Sequence, residues 1–169
     1  MTADWILIVS AFSVIACGLV AGVFLTFSDF VMASLAAVRP AGGIESMQII
    51  NRKVYKTVFM VLLLGMSALS PLLIGAAYFY APGAASAWVI AGGVTYVAGV
   101  FLVTVVFNVP MNKRLDAMNH AGPDAESYWR TYVPVWRFWN HIRTISSGGS
   151  AICYLVACLF MAKATIVAG

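Results

Sequence analysis

The sequence predicts an all-α integral membrane protein: a four-helix bundle, with a short amphipathic cytoplasmic helix after the first span and a cytoplasmic helix leading into the fourth. Three observations predict it. Of 169 residues, 62% are hydrophobic and only 9% charged, against roughly 25% charged in a soluble domain. Four apolar runs, at 5–38, 57–79, 87–107 and 145–167, each reach the roughly 20 residues with which a helix crosses a hydrocarbon core of about 30 Å. The runs are continuous rather than alternating, which suits helices and not a barrel. The whole chain, 1–169, reads as one membrane domain.

Charge sets the expected sidedness. Arg39, Arg52, Lys53 and Lys56 lie between the first two runs, and Lys113, Arg114, Arg130, Arg137 and Arg143 between the last two. Positively charged loops stay in the cytoplasm. Loops 39–56 and 108–144 are therefore expected there, with both termini outside and the plasma or inner membrane as the location. Basic residues facing anionic lipid account for the net charge of +4 without a nucleic-acid partner. No cleavable signal is apparent, since Asp4 stands where a basic region would and the first run exceeds a signal's apolar core. Cys17, Cys153 and Cys158 fall inside spans without metal-type spacing and read as small packing residues.

In the first span, Gly18 and Gly22 are four apart, followed by Leu25, Asp29, Ala33 and Ala36 along nearly the same stripe. Small residues at this spacing predict close approach of a neighbouring helix. Asp29 is the carboxylate within a span; at mid-bilayer it would cost about 2.5–3.5 kcal/mol, less toward the cytoplasmic end. It is expected either to pair with Arg143 or Arg39 or to serve as a base. The run Arg39-Pro40-Ala41-Gly42-Gly43 stops this helix. An amphipathic helix over 44–56 follows, its Met47, Gln48, Asn51, Val54 and Tyr55 forming a stripe away from the basic residues. Gln48 and Asn51 on it either line a cavity or bond neighbouring backbone.

The second span contains Ser67, Ser70 and Pro71, for which a kink is expected, and ends in the interfacial anchors Tyr78 and Tyr80 before a Pro82-Gly83 turn. In the third, Gly92, Gly93 and Gly99 predict close packing. It ends near Pro110, where the missing backbone donor loosens the helix and Asn108 and Asn112, four apart, share a face. The connector Ala121-Gly122-Pro123-Asp124 is a turn with Asp124 as N-cap. His120 and His141 lack partners at metal spacing, so no metal is expected.

The richest stretch is Trp129 to Thr144, with three tryptophans, three arginines, an asparagine and a histidine. As a helix it puts Trp129, Trp136, Asn140, Arg143 and Thr144 on one face and Arg130, Arg137 and His141 on another. The first face is suited to enclosing a ligand, the second to lipid headgroups. A surface belt of Trp and Arg explains the same residues without chemistry. Pro134 predicts a kink or a helix start just beyond it.

Two motifs, Asn108-Val-Pro-Met-Asn112-x-x-Leu115 and Trp136-x-x-x-Asn140-x-x-Arg143, resemble the anthrone oxygenase-like family of small four-helix membrane proteins, largely a domain of unknown function. The resemblance implies oxidation of a planar phenolic tricycle to its quinone by dioxygen, without a cofactor. Such a reaction needs a base, donors for an enolate-like anion and apolar walls. For that chemistry this sequence offers Arg143, Asn140 and Asn112 to hold the oxyanion, Trp136 and Trp139 to stack on the rings, and Asp29 or His141, which lie outside the matched motifs, as base, with Asn108, Gln48 and Asn51 as further candidates for the binding surface. Two other readings fit the sequence: a non-catalytic module for a quinone or planar lipid, and a structural subunit that docks to itself or to a larger membrane complex.

Overall fold

The computed structural model describes residues 4–81 and 83–168, so the Pro82 half of the expected turn lies outside the described residues; Gly83 beside it takes φ +49°. The described residues form five helical rods. Helix α1 covers Asp4–Thr26, passes through a π-helical turn at Phe27–Val31 and ends with Met32–Ala37. Helix α2 is Pro40–Lys53, and α3 is Val58–Tyr80. Helix α4 starts as Gly83–Tyr96, runs through two π-helical turns, Val97–Leu102 and Thr104–Asn108, and closes with Val109–Asp116. Helix α5 is one rod, Pro123–Ala168. Four of the five, all but α2, are long and apolar enough to cross a membrane.

Packing follows from where the small and aromatic residues fall. Helix α5 lies along α1 on one side and α4 on the other, and α3 closes the ring between α4 and α1. Gly92 and Gly99 let α4 approach α5 closely, because a Cβ at Gly92 would press on Tyr154 and one at Gly99 would collide with Ser146. Ser150 uses that proximity to donate to the Gly92 carbonyl. Tyr96 and Tyr154 fill the centre of the bundle, and the Tyr154 hydroxyl donates to Ser70 Oγ across it at 3.4 Å.

A second core caps one end of the bundle. Met32, Ile44, Met47, Leu115, Trp129, Tyr132 and Trp136 pack together there, with Trp129 stacked on Tyr132 and Tyr132 on Trp136. Helix α2 is strapped to this end. Gln48 donates to the carbonyls of Leu115 and Met118 at 2.8 and 2.9 Å, adding donors at a helix C-terminus where backbone carbonyls outnumber backbone donors. Arg52 adds an ion pair to Asp116 at 2.7 Å.

Several expectations are corrected. The Gly18–Gly22 stripe faces outward and a Cβ at either glycine would meet nothing within 4 Å, so it packs against no helix of this bundle. The first break is shorter than expected: Val38 is extended and the helix restarts at Pro40, where the missing N–H is harmless. Gly43 then sits inside α2 because a Cβ there would strike the Leu35 carbonyl and Trp129. The third span runs on to Asp116, since the chain absorbs Pro110 as a π-helical turn in which Val109 N–H bonds back to the Thr104 carbonyl. Pro134 starts no helix, because α5 is already helical from Pro123. Asp124 lies in its first turn rather than at the N-cap.

Candidate functional site

A cavity of about 200 Å³ lies where the two cores meet, between the start of α3 and the second half of α4. Its walls are mostly apolar, including Phe27, Met47, Phe59, Leu63 and Phe101. Its polar residues gather on one side. Thr104, Asn108 and Asn112 follow one another at four-residue spacing along α4, Asn140 and Arg143 come from α5, and Asn51 comes from α2. An open depression at Arg114, Asp124 and Tyr128 lies elsewhere on the surface, and its polar side chains are exposed or half-buried.

Arg143 dominates the electrostatics. It is only 6% exposed, and among the described residues no carboxylate pairs with it. Rings and neutral acceptors hold the charge instead. The guanidinium carbon sits 4.3 Å from the Phe24 ring centroid and 5.2 Å from that of Trp136, each face offering its negative quadrupole. Nη2 donates to Asn140 Oδ1 at 2.7 Å and Nη1 to Thr104 Oγ1 at 3.5 Å. Nε is buried and has no hydrogen-bond partner among the described residues.

The same shortage recurs around the cavity. Asn51 Nδ2 and Asn108 Oδ1 are also buried and, among the described residues, unpartnered. Each such group costs about 1–3 kcal/mol, and native proteins keep few of them. Two such donors and one acceptor among the lining residues mark a cavity suited to a small polar, electron-rich group.

Neighbouring contacts fix these side chains. Asn140 Nδ2 donates to the Phe24 carbonyl and to Ser28 Oγ, both at 2.6 Å, and Arg137 Nη2 donates to the Ser28 carbonyl at 3.2 Å. Both carbonyls border the π-helical turn of α1, so side chains of α5 supply donors where the backbone ladder of α1 shifts. Asn112 Oδ1 accepts from Tyr132 Oη at 2.8 Å and from Trp136 Nε1 at 2.9 Å. That acceptor orients the indole lying beside Arg143.

Six of the residues singled out in the sequence line the cavity: Asn51, Asn108, Asn112, Trp136, Asn140 and Arg143. The other four do not. Asp29 and His141 are exposed on the outside of the bundle, and Asp29 forms no ion pair among the described residues, with Arg143 or with Arg39. Trp139 stacks on Phe107, their centroids 3.6 Å apart, and Gln48 is spent on the strap to α4. The sequence reading missed Phe24, Phe27 and Ser28 in α1 and the role of Tyr132. Nothing distinguishes a phenylalanine beside a cation from one beside lipid in so apolar a chain. Among the described residues no group of three His, Cys, Asp or Glu is placed to hold a metal.

A family model described as anthrone oxygenase matches residues 52–153. The chain belongs to the anthrone oxygenase family. The matched stretch takes in α3, α4 and the part of α5 that carries Trp136, Asn140 and Arg143, while the α1 and α2 walls of the cavity precede it. Searches among curated proteins and among solved structures give no match.

Proposed function

We propose that this anthrone oxygenase family member is a membrane-embedded oxygenase that binds a planar lipophilic phenol as its anion beside Arg143 and directs its oxidation by dioxygen. The observation that carries the reading is a buried arginine, without a carboxylate partner among the described residues, at the wall of an apolar cavity. A phenolate or enolate oxygen brings the missing negative charge. In a low-dielectric site that pairing is far stronger than in water.

For an anthrone, loss of one proton from the methylene or its enol tautomer gives the aromatic enolate, and Arg143 with Asn51 holds its oxygen. The electron-rich ring carbon passes an electron to dioxygen, and the resulting radical and superoxide combine to a peroxide anion, which takes back one proton from water to give the hydroperoxide. Loss of water from that adduct leaves the second carbonyl, so one anthrone and one dioxygen give one quinone and one water. Among the described residues no carboxylate or imidazole lines the cavity. The site therefore acts by stabilising the anion, and the proton passes to water rather than to Asp29 or His141. The absence of a base in the cavity also favours a second reading, a module that holds a quinone or planar lipid without turnover.

In this proposal the four apolar helices span the plasma or inner membrane, both termini lie outside, and α2 and the polar ends of α4 and α5 face the cytoplasm, as the positions of the basic residues require. The test is to reconstitute the protein in lipid and follow dioxygen and anthrone together. One dioxygen consumed per quinone formed, faster than in empty vesicles and lost in Arg143→Gln, supports the oxygenase. Tight binding with no rate above background supports the binding module instead.

A further inference from the structure

We infer that the cavity takes its ligand sideways, from the hydrocarbon of the bilayer, through the gap between the start of α3 and the π-helical half of α4. This rests on the membrane reading and on the cavity being the functional site, and it adds the route and the orientation of the ligand.

The gap follows from the helix packing. Helix α3 packs against α4 over Gly83–Leu102, and no comparable packing continues along Thr104–Asn108. Where the two helices part, the cavity lies between them. Its outermost lining residues are apolar or amphipathic and exposed: Leu64 at 51%, Val105 at 48% and Tyr55 at 59%. A rim of Leu and Val, with a tyrosine toward the polar end, suits a mouth that opens on lipid.

On the other sides the lining is more deeply buried. Helices α1 and α5 stand behind the cavity, with Phe24, Asn140 and Arg143 buried on that side. Toward the polar end, α2 lies across the floor with Met47 and Asn51 buried. It is held there by the two hydrogen bonds of Gln48 to the end of α4 and by the Arg52–Asp116 ion pair. A ligand dissolved in lipid meets only Leu64 and Val105.

The geometry also sets the orientation. The unpartnered polar atoms of Arg143, Asn108 and Asn51 are buried, whereas the mouth is apolar. The ligand therefore sits with its oxygen inward and its hydrocarbon end toward the gap. Ligand pockets for drug-sized molecules run to about 300–1,000 Å³, so a chamber of about 200 Å³ holds the ring system and leaves an alkyl substituent in the mouth.

Thiol labelling tests the route without using turnover. Thr104→Cys places a thiol on the cavity wall, in a Cys153→Ala/Cys158→Ala background that keeps the buried Cys17. The protein is reconstituted in phosphatidylcholine–phosphatidylglycerol vesicles and exposed to a lipid-soluble pyrenyl maleimide or to a charged, impermeant methanethiosulfonate. Leu72→Cys, exposed on α3 outside the cavity, reports general reactivity in lipid. The account predicts that Leu64→Trp or Val105→Trp, both at exposed positions that tolerate size, slows maleimide labelling of Thr104→Cys about tenfold, a barrier increase of about 1.4 kcal/mol. Labelling of Leu72→Cys stays unchanged. Equal labelling with and without the tryptophan, or labelling by the charged reagent at least as fast as by the maleimide once each is divided by its rate with a free thiol in water, overturns the sideways route. Failure to oxidise an anthrone would sink the proposed chemistry and leave this result standing.

Discussion

Arg143 and Phe24 form the closest contact between charge and ring at the cavity, with the guanidinium carbon 4.3 Å from the ring centroid. The pair joins α5 to α1, and its geometry depends on a flat cation. Lysine keeps the charge but offers neither a stacking plane nor a fork able to reach Asn140 and Thr104 together. A desolvated cation–π contact is worth about 2 kcal/mol, so Arg143→Lys is expected to lower kcat/KM about 30-fold in the oxygen-uptake assay.

Arg143→Met separates binding chemistry from folding. The arginine is buried without a carboxylate partner, and replacing a costly buried charge with an apolar side chain of similar length is often neutral or stabilising. We expect a Tm within a few degrees of wild type, together with loss of turnover. A residue needed only to hold the fold would show the reverse.

Asn112 accepts hydrogen bonds from Tyr132 and Trp136, which lie four residues apart on α5. Asn112→Leu leaves both donors buried and unpaired, at about 1–3 kcal/mol each. The thermal unfolding midpoint should fall, and the near-ultraviolet signal of the aromatic stack should change. Asn112→Asp keeps the acceptor oxygen and should recover most of the loss.

Asp29→Asn and His141→Ala, alone or together, should leave oxygen uptake within about twofold of wild type, because exposed substitutions away from a site shift energies by about 0.5 kcal/mol or less. Both residues lie on the outer surface, away from the cavity. A tenfold loss in either variant would return the base to the outside of the bundle.

Gly22→Leu is expected to leave the folded monomer intact, since a Cβ there meets nothing within 4 Å. If the outward Gly18–Gly22 stripe instead packs against a second copy, the variant will shift to lower mass by light scattering in detergent.

The bundle was legible because its signals are long and redundant: four continuous apolar runs, paired glycines on α4 and a basic cluster at each polar connection. The polar side of the site was legible for a related reason. In so apolar a chain each Asn or Arg near a span end stands out, and the three- and four-residue spacings of Trp136, Asn140 and Arg143 put them on one face. The apolar walls were not legible. Phe24 and Phe27 are marked only by what lies opposite them, and no local pattern in α1 points to α5. Asp29 misled because a carboxylate within a span suggests function by default, whereas helix rotation turned it outward. Pro110 loosens its helix as expected, into a wider turn, whereas Pro134 marks no helix start because its helix begins eleven residues earlier.

The most direct measurement uses a phenol that reports its own ionisation. Titrating 4-nitrophenol, whose anion absorbs at longer wavelength than the acid, against the reconstituted protein shows whether the cavity favours the anion. The account predicts about tenfold more bound phenolate than in free solution at the same pH, equivalent to about 1.4 kcal/mol, and loss of that excess in Arg143→Gln. An unchanged ionisation on binding, or the same excess in Arg143→Gln, would contradict an anion site built around Arg143.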